Sequence, residues 1–151
     1  IVLNALTKAQ LPPEYLELEL TESLLIEDSD RLVHTLAVLR SDGVHFSIDD
    51  FGTGYSNLGY LKKFEVGALK IDQSFVRKMD DQTGDAAIVR AIIQMASSLG
   101  LKTIAEGVED ANTAALLRGL GCNEAQGYYW ARPMPATEIE SFCKNWPPLA
   151  S

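Results

Sequence analysis

The chain has 151 residues, of which 46% are hydrophobic and 23% are charged, a composition that is ordinary for one globular domain with a sizeable core. Its formal net charge of −8 argues against a surface that binds a nucleic-acid polymer, because neutralising phosphates needs clustered lysine and arginine. Cys122 and Cys143 have no metal-ligand spacing and so indicate free thiols in a reducing, cytoplasmic compartment, and no apolar run reaches the ~20 residues of a membrane span.

The chain begins at Ile1 without a methionine, in a pattern typical of a helix already under way, so we expect a piece of a longer protein. The prolines at 12 and 13 end that helix, because proline cannot continue the backbone hydrogen bonds. Alternating and helical periodicities then predict five strand–helix units. The predicted strands cover residues 15–20, 44–49, 68–71, 101–105 and 124–129, and the predicted helices cover 29–40, 58–64, 86–99, 112–120 and 136–146.

The alternation of strands and helices predicts an α/β domain with parallel strands and right-handed crossovers. Two folds remain open, a doubly wound sheet and a (β/α) barrel. A barrel brings every strand end to the face that carries the active site, whereas an open sheet binds its ligand at one switch point. Because every predicted strand ends in polar residues, we expect the C-terminal five βα units of a barrel, with roughly three strands missing before Ile1. The strand ends in order are Glu19, Asp49 with Asp50, Lys70 with Asp72, Glu106, and Gln126.

Asp49 and Asp50 form the most informative pair, since they follow the apolar run 44–48 and precede a small-residue turn at 51–54. Adjacent carboxylates disfavour each other's ionised form unless a cation or hydrogen-bond donors offset the repulsion. The pair is therefore a candidate metal site. The alternative is a turn-forming acid next to a solvated neighbour.

The other strand ends favour a metal. Carboxylates from three strands, with no histidine among them, suit Mg²⁺ or Mn²⁺ rather than zinc. Such ions assist the hydrolysis of phosphate esters, because they polarise a phosphoryl oxygen and generate hydroxide. Lys70 is a candidate for orienting the attacking water or neutralising the phosphate, and the alternative is a buried ion pair. The four carboxylates are Glu19, Asp49, Asp50 and Glu106.

Five segments carry a more specific signal. They are Glu17-Leu18-Glu19-Leu20-Thr21-Glu22-Ser23, Asp49-Asp50-Phe51-Gly52-Thr53-Gly54-Tyr55-Ser56, Leu69-Lys70-Ile71-Asp72, Ala105-Glu106-Gly107-Val108-Glu109 and Gln126-Gly127-Tyr128. In this order, and over practically the whole chain, they resemble the EAL family of cyclic di-GMP phosphodiesterases. The resemblance implies a modified TIM (β/α)8 barrel that linearises cyclic di-GMP to pGpG with two Mg²⁺ or Mn²⁺ ions. Residues 1–151 would then be the C-terminal part of one such domain.

The resemblance also implies a role for each matching residue. Lys70 and Gln126 would position the water and the metal shell, and Glu22 would brace the loop 51–56, which shapes a dimer contact. The family's Glu-Ala-Leu triplet and an asparagine ligand are not in this chain, so both are expected before Ile1 and the two-ion site is expected to be incomplete. The implied metal ligands are Glu19, Asp49, Asp50 and Glu106, and the implied catalytic residues are Lys70, Glu106, Glu109 and Gln126.

Three functions of different classes stay open. One is a cyclic di-GMP phosphodiesterase whose C-terminal piece is inactive alone. Another is a receptor that binds cyclic di-GMP without cleaving it, and the third is an interaction segment that completes a barrel. The expected partners are cyclic di-GMP and either a second copy or a barrel-completing segment, in a parent that is cytoplasmic or membrane-anchored, with GGDEF-type or sensory domains as candidates for the rest of it.

Two further expectations concern the barrel interior. Alternation places Glu17 on the same face as Glu19, and Lys102 on the same face as Glu106, so Glu17 is expected to pair with Lys102 or Lys70. Five strands of eight are also expected to leave two unpaired edges and an apolar inner surface open to water.

Overall fold

The computed structural model describes residues 1–21, 24, 30–54, 59, 61, 64–79 and 84–146. In this part of the chain, one sheet of five parallel strands is flanked by helices. The strands are β1 (Glu17–Thr21), β2 (His45–Phe51), β3 (Ala68–Ile71), β4 (Lys102–Ala105) and β5 (Glu124–Ala125). The helices are α1 (Val2–Ala9), α2 (Asp30–Ser41), α3 (Gln73–Val76), α4 (Asp85–Ser98), α5 (Ala111–Gly119) and α6 (Ala136–Lys144), with a 3₁₀ turn at Pro13–Tyr15.

The strands lie side by side in chain order, β1-β2-β3-β4-β5, and every neighbouring pair is parallel. A doubly wound sheet reverses its order at a switch point, whereas a (β/α) barrel adds each strand next to the previous one. The order therefore confirms the α/β class and agrees with an arc of a barrel. Because the strands are parallel, their carboxyl ends lie along one edge of the sheet, and that edge carries the predicted site residues.

The two faces of the sheet differ in chemistry. The outer face is apolar and is buried against helices, and α4 contributes Val89 and Ile93 to this core. Alternate residues form the inner face, where charged and hydroxyl side chains dominate, so the expectation of an apolar inner surface is wrong. The outer face includes Phe46, Ile48, Leu69, Ile71 and Ala105, and the inner face includes Glu19, Ser47, Lys70, Lys102 and Glu124.

Most element boundaries agree with the sequence-based prediction. β3 has the predicted bounds, and α4 and α5 are each displaced by one residue. β5 is the exception, because it ends at Ala125 instead of continuing to residue 129. The Trp130 N–H donates to the Gly127 carbonyl at 3.2 Å, and this hydrogen bond closes a turn where the strand was expected.

The short helix α3 is an addition that the sequence analysis does not predict. It begins where the Asp72 side chain accepts a hydrogen bond from the Ser74 N–H at 3.0 Å, an N-cap contact that satisfies a helix-terminal donor. The predicted helix 58–64 falls mostly outside the described residues. Every helix in the described ranges falls short of the length and apolar content that crossing a bilayer requires.

Glu17 contradicts the pairing expected for the interior. Its side chain is exposed, and Lys102 instead places its Nζ 3.1 Å from Glu124 Oε1. Lys70 contacts Glu19, which lies two residues nearer the carboxyl edge than Glu17. The prediction that Glu17 pairs with Lys102 or Lys70 is therefore wrong. Distance excludes Lys102, since β1 and β4 are three strand spacings apart, about 14 Å. Register excludes Lys70, because the strand pairing places it nearer to Glu19 than to Glu17 along the strands.

Candidate metal centre

Lys70 is the centre of the candidate site. It lies in β3 with 5% of its surface exposed, and its Nζ contacts carboxylates from three other segments. Nζ lies 2.5 Å from Glu19 Oε1, 2.8 Å from Glu106 Oε1 and 3.0 Å from Asp49 Oδ1. Four of the predicted site residues therefore come together at the carboxyl edge of the sheet.

The protonation state of Lys70 follows from these contacts. Burial by itself would lower the pKa of Lys70, but the carboxylates of Glu106, Glu19 and Asp49 outweigh burial and raise the pKa above its usual value. Lys70 therefore stays protonated at neutral pH and does not serve as a base. Both roles considered for it, an ion pair and a cation beside a phosphate, need this charged form.

One oxygen in this group lacks a directed partner. Asp49 Oδ1 is buried and lies 3.0 Å from Lys70 Nζ, but among the described residues no donor is aligned with it well enough for a regular hydrogen bond. Ser47 Oγ, two residues earlier on the same face, is likewise buried without a hydrogen bond in the described part of the chain. Buried polar atoms without partners are costly, and a ligand that supplies the contact would offset the cost.

A second grouping overlaps the first. Asp49, Asp50 and Glu106, here called the acidic cluster, place carboxylate oxygens within 4.8 Å of one another. In a regular strand, Asp49 and Asp50 would point to opposite faces. The pairing of β2 with β3 shifts between Ile48 and Phe51, and Asp50 has a left-handed φ of 53°. This irregularity lets both acids serve one cluster.

Asp72 adds negative charge next to the acidic cluster. Burial raises the pKa of Asp50, as do the charges of Asp49 and Asp72, while the charge of Lys70 opposes them. Burial also acts to raise the pKa of Asp72, but hydrogen bonds from Ser74 and from the Asp50 side chain help to lower it below its usual value. The edge therefore carries more negative charge than Lys70 neutralises.

The donors present fit a hard divalent cation. Those of the acidic cluster are carboxylate oxygens, which Mg²⁺ and Mn²⁺ prefer. A buried oxygen of Asp49 accepts no hydrogen bond within the described ranges, and the excess of carboxylates over lysine calls for a further positive charge. The same set is unsuited to zinc, which favours nitrogen and sulfur ligands.

Gln126 orients Glu106. Its Nε2 donates a hydrogen bond of 2.8 Å to Glu106 Oε1, the oxygen that also contacts Lys70. The backbone places Gln126 there, because its N–H donates to the Ala105 carbonyl at 2.8 Å and its own carbonyl accepts from the Val108 N–H at 3.1 Å. The carboxylate of Glu106 is thereby held from two sides.

Glu109 forms its ion pair with Arg77 and not with Lys70. Its Oε1 is 2.7 Å from Arg77 Nη2, and this pair lines a cleft of about 610 Å³ that Glu106 also borders. Another wall of the cleft is formed by Tyr128 and Arg132, whose guanidinium carbon lies 5.1 Å from the ring centre. The structure thus places Glu109 beside the acidic cluster, on the cleft wall.

Glu22 and the last two residues of the loop 51–56 lie outside the described residues. The prediction that Glu22 braces this loop therefore stays a prediction. At the described start of the loop, the Thr53 hydroxyl donates to the Asp50 carbonyl at 2.9 Å, and the Thr53 N–H donates to the same carbonyl at 3.3 Å, so a turn closes over residues 50–53.

Sequence reasoning missed the roles of Asp72 and Arg77. Asp72 was interpreted only as a polar strand end, although the Asp72-x-Ser74 spacing is a signal for a helix N-cap. Arg77 had no signal, because the helix α3 that presents it is only four residues long and has no periodicity to detect.

Comparisons with known proteins agree with this geometry. The sequence profile of the family described as EAL domain matches residues 1–133. The curated cyclic di-GMP phosphodiesterase NbdA of Pseudomonas aeruginosa is 44% identical over 155 residues, covering 99% of this chain and 20% of NbdA. A structure described as the PaMucR phosphodiesterase in complex with c-di-GMP, whose curated MucR counterpart is from Pseudomonas aeruginosa, matches with a TM-score of 0.86 and 46% identity, covering 91% of this chain and 56% of that one.

A further solved structure contains a metal. BlrP1 of Klebsiella pneumoniae, in a manganese and cyclic di-GMP complex, matches with a TM-score of 0.79 and 33% identity over 87% of this chain and 34% of that one. These likenesses confirm the predicted barrel-type fold. The chain spans only 20% of the length of the curated relative NbdA.

Proposed function

This chain belongs to the EAL domain family, and we propose that residues 1–151 form the C-terminal part of one phosphodiesterase domain that hydrolyses cyclic di-GMP to linear pGpG in bacterial second-messenger signalling. The observation that carries the proposal is the acidic cluster next to Lys70 at the carboxyl edge of the sheet. Support comes from a relative named as a cyclic di-GMP phosphodiesterase and from the PaMucR structure with c-di-GMP.

The cation proposed for this site is Mg²⁺ or Mn²⁺, with Asp49, Asp50, Glu106 and Glu19 as its ligands. Such an ion supplies a polarised phosphoryl oxygen and a bound water of lowered pKa. The manganese complex of BlrP1 supports a divalent ion. A second ion, and the Glu-Ala-Leu and asparagine ligands expected before Ile1, are part of the same proposal.

The chain's own residues neutralise the charge of the substrate phosphate and orient the metal-binding carboxylates. Lys70 stays protonated, so it can attract a substrate phosphate while it keeps Glu19 and Glu106 in place. Gln126 keeps the Glu106 carboxylate in one orientation through its hydrogen bond. Glu109 is assigned to the same catalytic group, because it lines the cleft that Glu106 also borders.

The parent protein is proposed to be larger and to carry further domains. A relative that this chain covers to 20% is named as a bifunctional diguanylate cyclase and cyclic di-GMP phosphodiesterase, which supports GGDEF-type or sensory domains in the parent. A second copy or a barrel-completing segment is the proposed protein partner, because β1 and β5 are the edge strands of the described sheet. Residues 1–151 alone are proposed to be inactive.

The test is the release of pGpG by the complete domain with Mg²⁺ or Mn²⁺. Asp49→Asn is expected to lower kcat at least about 100-fold, the upper end for residues that merely support a metal ligand. Asp42→Asn is the matched control, since Asp42 is an exposed acid in the turn after α2, and it should leave kcat unchanged.

Two results would contradict the proposal. Near-normal hydrolysis by the Asp49→Asn domain would remove that residue from the metal site. Binding of cyclic di-GMP that is equal with and without a chelator, with no pGpG released, would identify a receptor instead of an enzyme.

A further inference from the structure

Two ion pairs join the same two structural units at the carboxyl edge of the sheet. One unit runs from β3 into α3 and carries Lys70 and Arg77, and the other runs from β4 into the loop segment 106–110 and carries Glu106 and Glu109. Lys70 Nζ lies 2.8 Å from Glu106 Oε1, and Arg77 Nη2 lies 2.7 Å from Glu109 Oε1. One contact leaves a segment able to pivot, whereas two contacts fix its position and its direction.

Gly107 brings the loop segment 106–110 into direct contact with α3. It has a left-handed φ of 69°, and a Cβ at this position would lie 2.6 Å from Gln73 Cβ. The same Cβ would lie 3.5 Å from Arg77 Nε. The absence of a side chain at 107 therefore allows the close approach in which Arg77 reaches Glu109.

On its other side, the loop segment 106–110 is attached to the chain after β5. Val108 is fully buried, its N–H donates to the Gln126 carbonyl at 3.1 Å, and its carbonyl accepts from the Tyr129 N–H at 3.0 Å. These hydrogen bonds hold the segment at its middle, and the Glu106 N–H, which donates to the Ile71 carbonyl at 3.1 Å, holds its start, so the end that carries Glu109 is the part left to tilt about Val108. The contact of Glu109 with Arg77 opposes that tilt.

We infer that Arg77 is a positioning residue for the metal-binding carboxylate of Glu106. Through Glu109, Arg77 holds the loop segment 106–110 against α3 and so keeps Glu106 close to Asp49 and Asp50. The Arg77 and Glu109 side chains are 48% and 50% exposed, so the pair adds little to the free energy of unfolding. The role that we assign to it is to orient the loop segment 106–110. This inference rests on the proposed function, because it assigns Glu106 to a metal.

The test measures Mn²⁺ binding directly, by calorimetry or by the EPR signal of unbound Mn²⁺, in the complete domain. Arg77→Gln is expected to weaken Mn²⁺ affinity by about 5-fold at most, the limit that an exposed ion pair sets, and to lower kcat with little change in KM. Arg77→Lys, which keeps the charge but loses the forked geometry, should restore part of the affinity.

The matched control is Arg40→Gln. Arg40 forms an ion pair with Glu65 and has the same 48% exposure as Arg77, but it lies at the end of α2, away from the carboxyl edge of the sheet. This variant should bind Mn²⁺ like the wild type. Glu109→Gln should weaken binding as much as Arg77→Gln, and the double variant should add no further loss, because both changes break one interaction.

Each outcome separates this inference from the proposed function. A wild-type domain that binds no Mn²⁺ would overturn both. If the wild type binds Mn²⁺ and Arg77→Gln binds it equally well, or if Arg40→Gln loses as much, the inference alone is wrong. A raised KM with unchanged Mn²⁺ affinity would likewise overturn it and show that Arg77 contacts the substrate. Should Arg77→Gln fail to fold, Arg77→Lys and Glu109→Gln carry the same comparison.

Discussion

Lys70 and Lys102 lie on the same face of the sheet, on neighbouring strands, and both contact carboxylates, yet their surroundings differ. The Lys70 side chain is 6% exposed and contacts three carboxylates, whereas the Lys102 side chain is 67% exposed and contacts Glu124 at 3.1 Å. Burial removes the water that screens charge, so the loss of Lys70 leaves unpaired acids in a poorly solvated place. An ion pair at the surface is largely replaced by water when it is lost.

Position in the strand explains the difference. Lys102 opens β4 at the amino edge of the sheet, whereas Lys70 is the third residue of β3, next to the carboxyl edge where the acidic cluster lies. A lysine among several carboxylates keeps them together before any metal binds. Burial and the number of partners, rather than the presence of a salt bridge, distinguish Lys70, the candidate site residue, from Lys102.

The largest effect is expected for Lys70→Met, which keeps the length of the side chain and removes its charge. We expect the complete domain to lose about 3 kcal/mol of unfolding free energy at neutral pH, the low end for a broken buried pair. The low end of this range applies because half of the Glu19 side chain is exposed, so water screens its charge. Urea unfolding without metal measures this loss, and saturating Mg²⁺ should reduce it. A change below about 1 kcal/mol would place Lys70 with ordinary surface lysines.

An intermediate, pH-dependent effect is expected for Asp50→Asn. The pKa of Asp50 is raised in the folded protein above its usual value of 3.8, so folding favours the protonated carboxyl. The stabilisation that the protonated Asp50 side chain contributes to folding is therefore fully present at a pH below the usual pKa, and it is lost as the pH rises through the raised pKa of the folded protein. The asparagine should stabilise the metal-free domain at neutral pH and have no such effect near pH 3.

Thermal unfolding in the presence of a chelator, at several pH values, checks this expectation. Added Mn²⁺ should reverse the order and make the wild type the more stable protein, because the ion binds only where the carboxylate is present. If Asp50→Asn is less stable than the wild type at every pH without metal, the burial and the carboxylate repulsion that raise the pKa of Asp50 do not decide its contribution to stability.

The smallest effect is expected for Lys102→Met, the counterpart of the Lys70 change. Its ion pair with Glu124 is exposed, so the unfolding free energy should fall by less than about 1 kcal/mol, and hydrolysis should be unaffected. The same urea experiment as for Lys70 measures it. A loss as large as that of Lys70→Met would remove the distinction between the two lysines.

Much of the fold could be predicted because its signals are local. Apolar periodicity located β3, α4 and α5 to within one residue, and the alternation of elements indicated parallel strands in chain order. β5 was predicted too long and α3 was not predicted. In both places a few hydrogen bonds, from Trp130 to Gly127 and from Ser74 to Asp72, determine the backbone conformation. Such bonds leave no periodic pattern of apolar residues in the sequence.

The sequence by itself determined the order of the elements and the residue types at the strand ends, since both depend on neighbours along the chain. The tertiary structure alone decided which of those side chains meet. The irregular pairing of β2 turns Asp50 toward Asp49, the strand register leaves Glu17 in solvent, and the contact with α3 draws Glu109 to Arg77. Side-chain direction after a strand depends on backbone dihedrals and on partners far away in sequence, which composition and spacing do not encode.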